Sequence, residues 1–402
     1  MMMKQAYQEV LTMHASTGLH KIFTSATDDH PESMNQALQL AFLFEHDLLT
    51  RPDPFSGSIS IQSILDRFDV SRAVGHEAIR ILQHRKIIHA KPGPNGGLQV
   101  ITQSDENLRN TVGRFLIQQY YCVNRRKQAM EALLFVKSTL SPDNPGSDLV
   151  ALMLELLDNM ISGVEKNSML WSSTHTNLRA DQIAREIFND AVTSSPGKTH
   201  LRIGHESELS ERFQVSKPVI RQAIRILEAQ SAVVIRRGRG GGLYFANPQS
   251  GPVSRLVALW LLGHGTTFSQ IFELEHPLRV AIAMLATQNC ITRPDYRYLL
   301  TLQRNIENNY EVRLVDIINM EKHVSWLADN LLLDLLLKSM TVYKVSRAHY
   351  QEIVQDHSQT YATLNLEFLH GLFDRKETQI EYYCQQKNHF LMSTDLNFVK
   401  IH

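Results

Sequence analysis

Cysteine is scarce: Cys122, Cys290 and Cys384 are the only three in 402 residues, far apart and odd in number. That excludes a disulfide framework and a cysteine zinc cluster. No apolar run approaches the ~20 residues that a bilayer span needs. The most apolar stretches, 256–262 and 331–337, are short, and the second carries Asp334. Net charge is missing too, with 41 Lys and Arg against 41 Asp and Glu. This balance excludes a uniformly basic coat protein but says nothing about where charges sit. The Met-Met-Met-Lys start lacks the apolar core of a signal peptide. What is plentiful is apolar side chain, 43% of the residues, enough to bury real cores. At roughly 150 residues per domain the length points to two or three domains. The expectation is a cytoplasmic protein of several domains, without membrane contact.

The chain repeats itself. Residues 65–101 recur as 210–246, shifted by 145 positions with no gap. Between Asp66 and Leu98, 14 of 33 aligned positions are identical, including Arg67, Phe68, Ser71, Arg80, Leu82, Gly93 and Gly97. Ungapped identity at that density marks a duplicated unit. Each copy begins with an amphipathic segment (35–49; 180–192) whose apolar residues recur at helical spacing. A short helix follows, 61–68 or 206–213, then a three-residue turn. A second helix opens at Ser71 or Ser216, each placed as an N-cap whose side chain takes up free backbone N–H groups. Pro218 falls just inside the second copy's helix, where its missing N–H costs little. That helix runs 74–83 or 219–228. The β-branched runs 87–91 and 233–237, each followed by glycines and a second run (98–101; 243–246), read as hairpins.

Helix, helix, turn, helix and two-stranded wing is the plan of a winged helix-turn-helix, whose second turn helix enters the major groove of DNA. Local charge agrees. Residues 201–248 hold eight Lys and Arg against four Glu, and residues 56–103 hold six against three acids. The second copy resembles the DNA-binding domain of GntR-type bacterial transcription regulators. Glu206, Glu208, Leu209, Phe213, Val215, Ser216, Arg221, Ala223, Leu227, Glu228 and the run Gly238-Arg239-Gly240 stand at matching positions. Two positions depart: an arginine of the pattern is Ser207 here and Gln62 in the first copy, and the midhelix Arg221 becomes His76.

The resemblance implies a double-stranded DNA operator as partner. Arg221, one turn into the recognition helix, is suited to bidentate bonds with guanine O6 and N7, worth ~1–3 kcal/mol of discrimination. Ser216 and Lys217, with Ser71 and Arg72 in the first copy, are placed for phosphate or base-edge contact. Arg236, Arg237, Arg239 and Gly240 form the second wing, where missing side chains let backbone approach the groove; Lys91 stands in the first. His76 cannot make the bidentate contact, so the first copy is expected to bind with a looser or different base preference. Arg80 and Arg225, identical between copies, suit either a salt bridge or a phosphate.

Beyond each wing, helical periodicity takes over. The expected layout is an N-terminal arm (1–33), winged helix-turn-helix 1 (34–103), a short helical segment like a truncated effector domain (104–166), a linker (167–178), winged helix-turn-helix 2 (179–248) and a helical effector-binding and oligomerisation domain (252–397). The fold class is therefore mainly α with small β-wings. The long helical part is similar in length and placement to the all-helical effector domain of FadR-like GntR regulators. Many of those domains bind a divalent metal through an Asp-x-x-x-His pair. Here the matching segment is Asn319-Met320-Glu321-Lys322-His323, and asparagine is a poor transition-metal ligand. His323, His370 and His389 remain weak candidates, with His357 the alternative to His370; no resident metal or other cofactor is expected. A small-molecule effector is expected instead.

The resulting expectation is a sequence-specific DNA-binding regulator, a repressor responsive to a metabolite, acting as a homodimer or as an internal pseudo-dimer with two unlike half-sites. The alternative is a plasmid-type replication initiator, or another DNA-binding assembly protein with two winged helices and no ligand. No nucleophile elbow, metalloprotease helix or dinucleotide fingerprint points to an enzyme.

Overall fold

The computed structural model describes residues 24–27, 34–91, 93, 97–121, 126–140, 148–165, 179–194, 201–230, 232–236, 238, 241–246, 249–288, 294–308, 312–347 and 358–399. Most of the expected arm and all of the expected linker, 167–178, lie outside these residues. So do Arg237, Arg239, Gly240, His357, Cys122 and Cys290. The described chain is mostly α-helical, with two small β-sheets of wing-like form. It divides into two compact units. Residues 30–131 and 159–256 belong to one; residues 132–158 and 257–402, with part of the chain before residue 30, belong to the other.

In the first unit, α1 (Gln36–Thr50), α2 (Ile61–Arg67) and α3 (Arg72–His84) precede the antiparallel pair β1 (Ile88–Lys91) and β2 (Gly97–Val100). After α4 (Asp105–Tyr121), α5 (Arg126–Thr139) and α6 (Asp148–Glu165), the pattern returns. It reappears as α7 (Arg179–Ser194), β3 (Arg202–Gly204), α8 (Glu206–Arg212), α9 (Lys217–Ala229), β4 (Val233–Arg236) and β5 (Gly242–Phe245). In α9, Ile220, Ala223, Ile224 and Leu227 recur at three- and four-residue spacing and are all buried. They pack against Ile183, Ile187 and Phe188 of α7, Leu209 of α8, and Val233, Leu243 and Phe245 of the sheet. Each such Ile, Leu or Phe contributes roughly 1.5–3 kcal/mol by leaving water.

The tight turns are alike as well. Asp69 and Gln214, 145 positions apart, both take left-handed backbone (φ 45° and 53°), which sharply redirects the chain between helices. The two caps differ, contrary to expectation. Ser71 Oγ accepts the Val74 N–H at 3.4 Å, whereas Ser216 occupies the cap position with no side-chain cap bond. Pro218 explains part of this: it removes the N–H of the second helical residue, one of the two a capping oxygen would accept. The third strand, β3, is absent from the sequence reading. It pairs with β5, and its counterpart in the first copy is a single bridge, Ile59 to Leu98. This edge explains the repeated glycines. A Cβ on Gly242 would sit 2.9 Å from the Gly204 carbonyl oxygen, and one on Gly97 would sit 3.0 Å from that of Ile59. These two glycines permit close backbone approach inside the module.

A buried charge triad ties α1 to the chain after the second wing. Glu45, fully buried, accepts from Arg85 at 2.6 Å and from Arg255 at 2.5 Å. Arg255 lies in α10 (Ser250–Gly263), and its guanidinium stacks 4.9 Å above the Phe42 ring. Burial alone would raise the Glu45 pKa; the Arg85 and Arg255 charges outweigh it and hold the carboxyl below its ordinary value.

The second unit is helical. Its central helix α11 (Phe268–Gln288) packs against α13 (Leu314–Ala328), α14 (Leu331–Val345), α15 (Ser358–Asp374) and α16 (Glu377–Val399), with α12 (Pro294–Glu307) on α13 and α15. The leucine row of α14 is core, as its spacing suggests, and Asp334 within it pairs with Lys338 at 2.7 Å. Among the described residues no helix is long and apolar enough to cross a membrane.

Candidate nucleic-acid interface

Helix α9 buries one face and presents the other. Lys217, Arg221 and Arg225 are exposed on it, as are Arg72, His76 and Arg80 on α3. The exposed arginines hold only loose partners. Arg221 Nε lies 3.5 Å from Glu206 Oε1, with more than half of the arginine side chain in solvent. A solvated pair of this kind is worth about 0–1 kcal/mol, less than a bidentate guanine contact, so it does not commit Arg221. Arg225 Nε lies 3.8 Å from Glu77 Oε1, and Arg80 lies 3.3 Å from Glu77 Oε2. Glu77 therefore bridges the two repeated arginines, so of the two uses their type allows, the free chain shows the salt bridge.

On the wings, Arg236 stacks 4.5 Å over the Tyr244 ring, which holds its charge along the sheet face. Lys91 is exposed at the end of β1. Arg202 donates to Glu208 at 2.9 Å, while a second Glu208 oxygen accepts the His205 N–H at 3.0 Å. The hydrogen bond from Arg202, then that from the His205 backbone, pulls the Glu208 pKa down.

Sequence reasoning named Glu228 only as a position matching the GntR pattern and missed Glu77, which faces Arg225 of α9. Burial, reinforced by the nearby Glu77 carboxylate, pushes Glu228 up to about 7. Burial likewise lowers the pKa of His84. A signal for both acids was present in the repeat: Glu77 aligns with Gln222, and Glu228 with Gln83. An acid stands in one copy where its amide stands in the other, at two sites and in opposite senses.

In the helical unit the weak metal candidates are not brought together. His323 Nδ1 meets Asp295 at 2.9 Å and its ring stacks on Tyr298. His370 Nε2 meets Glu307 at 3.0 Å, and His389 is exposed. Asn319 accepts from Ser25 at 2.5 Å. Among the described residues no group of three or more His, Cys, Asp or Glu is placed to hold a metal ion. The unit's core instead carries a charge network. Glu275 meets Lys344 at 2.6 Å and Arg279 at 2.5 Å. Glu321 meets Arg279 at 2.5 Å and Lys387 at 2.6 Å. Burial would raise the Glu321 pKa, but Arg279, Lys387 and Lys344 together depress it. Beside the network a cavity of about 20 Å³ is bordered by Arg279, Met320, Glu321, Tyr383, Cys384 and Lys387. Burial pushes the Cys384 thiol up to about 11, leaving it un-ionised near neutrality.

Two helices, α8 and α9, are joined by a left-handed turn, pack on a small sheet and leave a cationic helix face exposed. Residues 198–242 match the family model for bacterial regulatory proteins of the gntR family, so a GntR-type helix-turn-helix spans β3, α8, α9 and β4. Over 96 residues the chain is 33% identical to the Mycobacterium gastri protein described as HTH-type transcriptional regulator RmpR. That alignment takes in 24% of this chain and about a third, 34%, of the relative. Among solved structures, Streptococcus agalactiae GntR aligns with a TM-score of 0.36 at 18% identity, covering 53% of this chain and 97% of that one.

Proposed function

We propose that the chain is a sequence-specific transcription regulator that binds double-stranded DNA through two winged helix-turn-helix modules, 34–103 and 179–248. The supporting observation is the GntR-type segment 198–242, whose helix α9 turns Lys217 and Arg221 to solvent on the face opposite its buried residues. In this reading Arg221 reads guanine. Lys217, Ser216, Arg225, Arg236, Arg237, Arg239 and Gly240 meet the backbone or neighbouring bases. Ser71, Arg72, His76, Arg80 and Lys91 do the same from the first module, with a different base preference because His76 replaces the arginine.

The helical part, 252–397, is the sensor, and the regulator is a repressor released or retuned by a small metabolite. The charge network around Glu275, Arg279, Glu321 and Lys387 supports a polar ligand there. The cavity beside it has room for one water molecule but not for a metabolite, so ligand entry shifts the helices, and that shift is the signal. The test is selection of bound duplexes from a random pool, followed by Arg221→Ala. That variant should lose on the order of 10-fold or more in affinity for the selected site. Unchanged site selection would remove Arg221 from the base-reading role.

A further inference from the structure

Helices α3 and α9 pack on each other within one compact unit. Glu77 stands opposite Arg225, and one cleft of about 590 Å³ is bordered by Glu77, Arg80 and His84 of α3 and by Pro218, Arg221 and Arg225 of α9. This sharing fixes the sense of the pair. With Glu77 opposite Arg225, antiparallel helices bring His84 opposite Pro218; parallel helices would hold those residues about 20 Å apart along the axis. The recognition helices are therefore antiparallel and in contact. The same register sets Lys217 level with Arg85, so the N-terminal ends at Arg72 and Lys217 are about 20 Å apart along the pair, at 1.5 Å per residue. On duplex DNA, at about 3.4 Å per base pair, that span is about six base pairs.

We infer that a single chain forms one asymmetric reading head for duplex DNA, addressing two unlike half-sites whose centres lie about six base pairs apart. A helix-turn-helix dimer with half-sites a full turn apart needs its recognition helices ~34 Å from each other, and contact between α3 and α9 forbids that. The cleft is cationic: Arg80, Arg221 and Arg225 outnumber Glu77, so the surface between the helices attracts phosphates rather than an acidic partner. Glu77 faces Arg80 of its own helix and Arg225 of the other through loose, partly solvated contacts, which leave both arginines able to turn to phosphate, while Arg221 and His76 make the two half-sites chemically different.

This inference rests on the DNA-binding reading, and the two can fail separately. The full chain is used to select duplexes from a random pool, and the mass of the complex on the enriched duplex is measured. One chain per duplex, two unlike half-sites and a spacing near six base pairs support the inference. Five inserted base pairs should then lower affinity on the order of 10-fold or more, because the second half-site turns by about half a helical repeat. No enriched sequence sinks the DNA-binding reading itself. Identical half-sites, a spacing near ten base pairs, or two chains on each minimal site sink the single-chain reading head alone.

Discussion

Replacing Arg255 by methionine probes the join between the first module and the helix that follows the second. Arg255 is 1% exposed and Glu45 is fully buried, with 2.5 Å between them. Removing one member of a buried ion pair typically costs about 3–5 kcal/mol, because the remaining charge stays desolvated. Arg85 remains beside Glu45 at 2.6 Å, which argues for the lower end. The lost stacking over Phe42 adds back up to ~2 kcal/mol for a desolvated cation–π contact. A loss of about 3–5 kcal/mol is therefore expected, seen in urea unfolding and as a fall in Tm of roughly 6–20 °C for a unit of this size. The acid limb should move as well. Glu45 now has a pKa below its ordinary 4.5, so its stabilisation is present above pH 4.5 and disappears as pH falls through the depressed value. With one guanidinium gone that pKa rises, and acid unfolding should begin at higher pH. The double variant Glu45→Gln/Arg255→Met should lose less than the two single losses added together. An Arg255→Met protein within 1 kcal/mol of the parent, with an unchanged acid limb, would refute the reasoning.

Gly242→Ala should cost roughly 1–3 kcal/mol, since φ is +126° and the new Cβ lies 2.9 Å from a backbone oxygen. Gly238→Ala, at φ +93° with nothing within 4 Å, should cost about 1 kcal/mol; equal costs in urea melts would contradict the close-approach account. Glu228, pushed up to about 7 chiefly by burial, lets the folded state hold an extra proton. Its contribution is complete below pH 4.5 and is lost as pH rises through about 7, by about 3 kcal/mol in all. Glu228→Gln should flatten stability against pH over that window, and an unchanged slope in melts at several pH values would count against the assignment.

Much of this architecture was legible locally. Ser71 and Ser216 mark the helix starts, Ile220, Ala223, Ile224 and Leu227 mark the buried face, and the β-branched runs before glycine mark the wings, because caps and periodicity act over a few residues. The face carrying Lys217 and Arg221 follows from that periodicity alone. The idle cap of Ser216 did not show, since it depends on the side-chain geometry around Pro218. Nor did β3: three residues around Ile203 carry too little pattern to announce a strand without the partner that gives it hydrogen bonds.

By itself the sequence determined the repeat, the helices and wings, and the cationic face of α9, all set by interactions between near neighbours in the chain. Tertiary structure alone decided that Glu45 meets Arg255 across 210 residues and that Glu77 lies against Arg225. It also decided that His323 meets Asp295, that His370 meets Glu307 and that α3 and α9 are in contact. Such pairings depend on which faces remain uncovered once each module has closed its own core. Burial then changes the chemistry, raising Glu228 and depressing Glu45, although the two carry the same side chain.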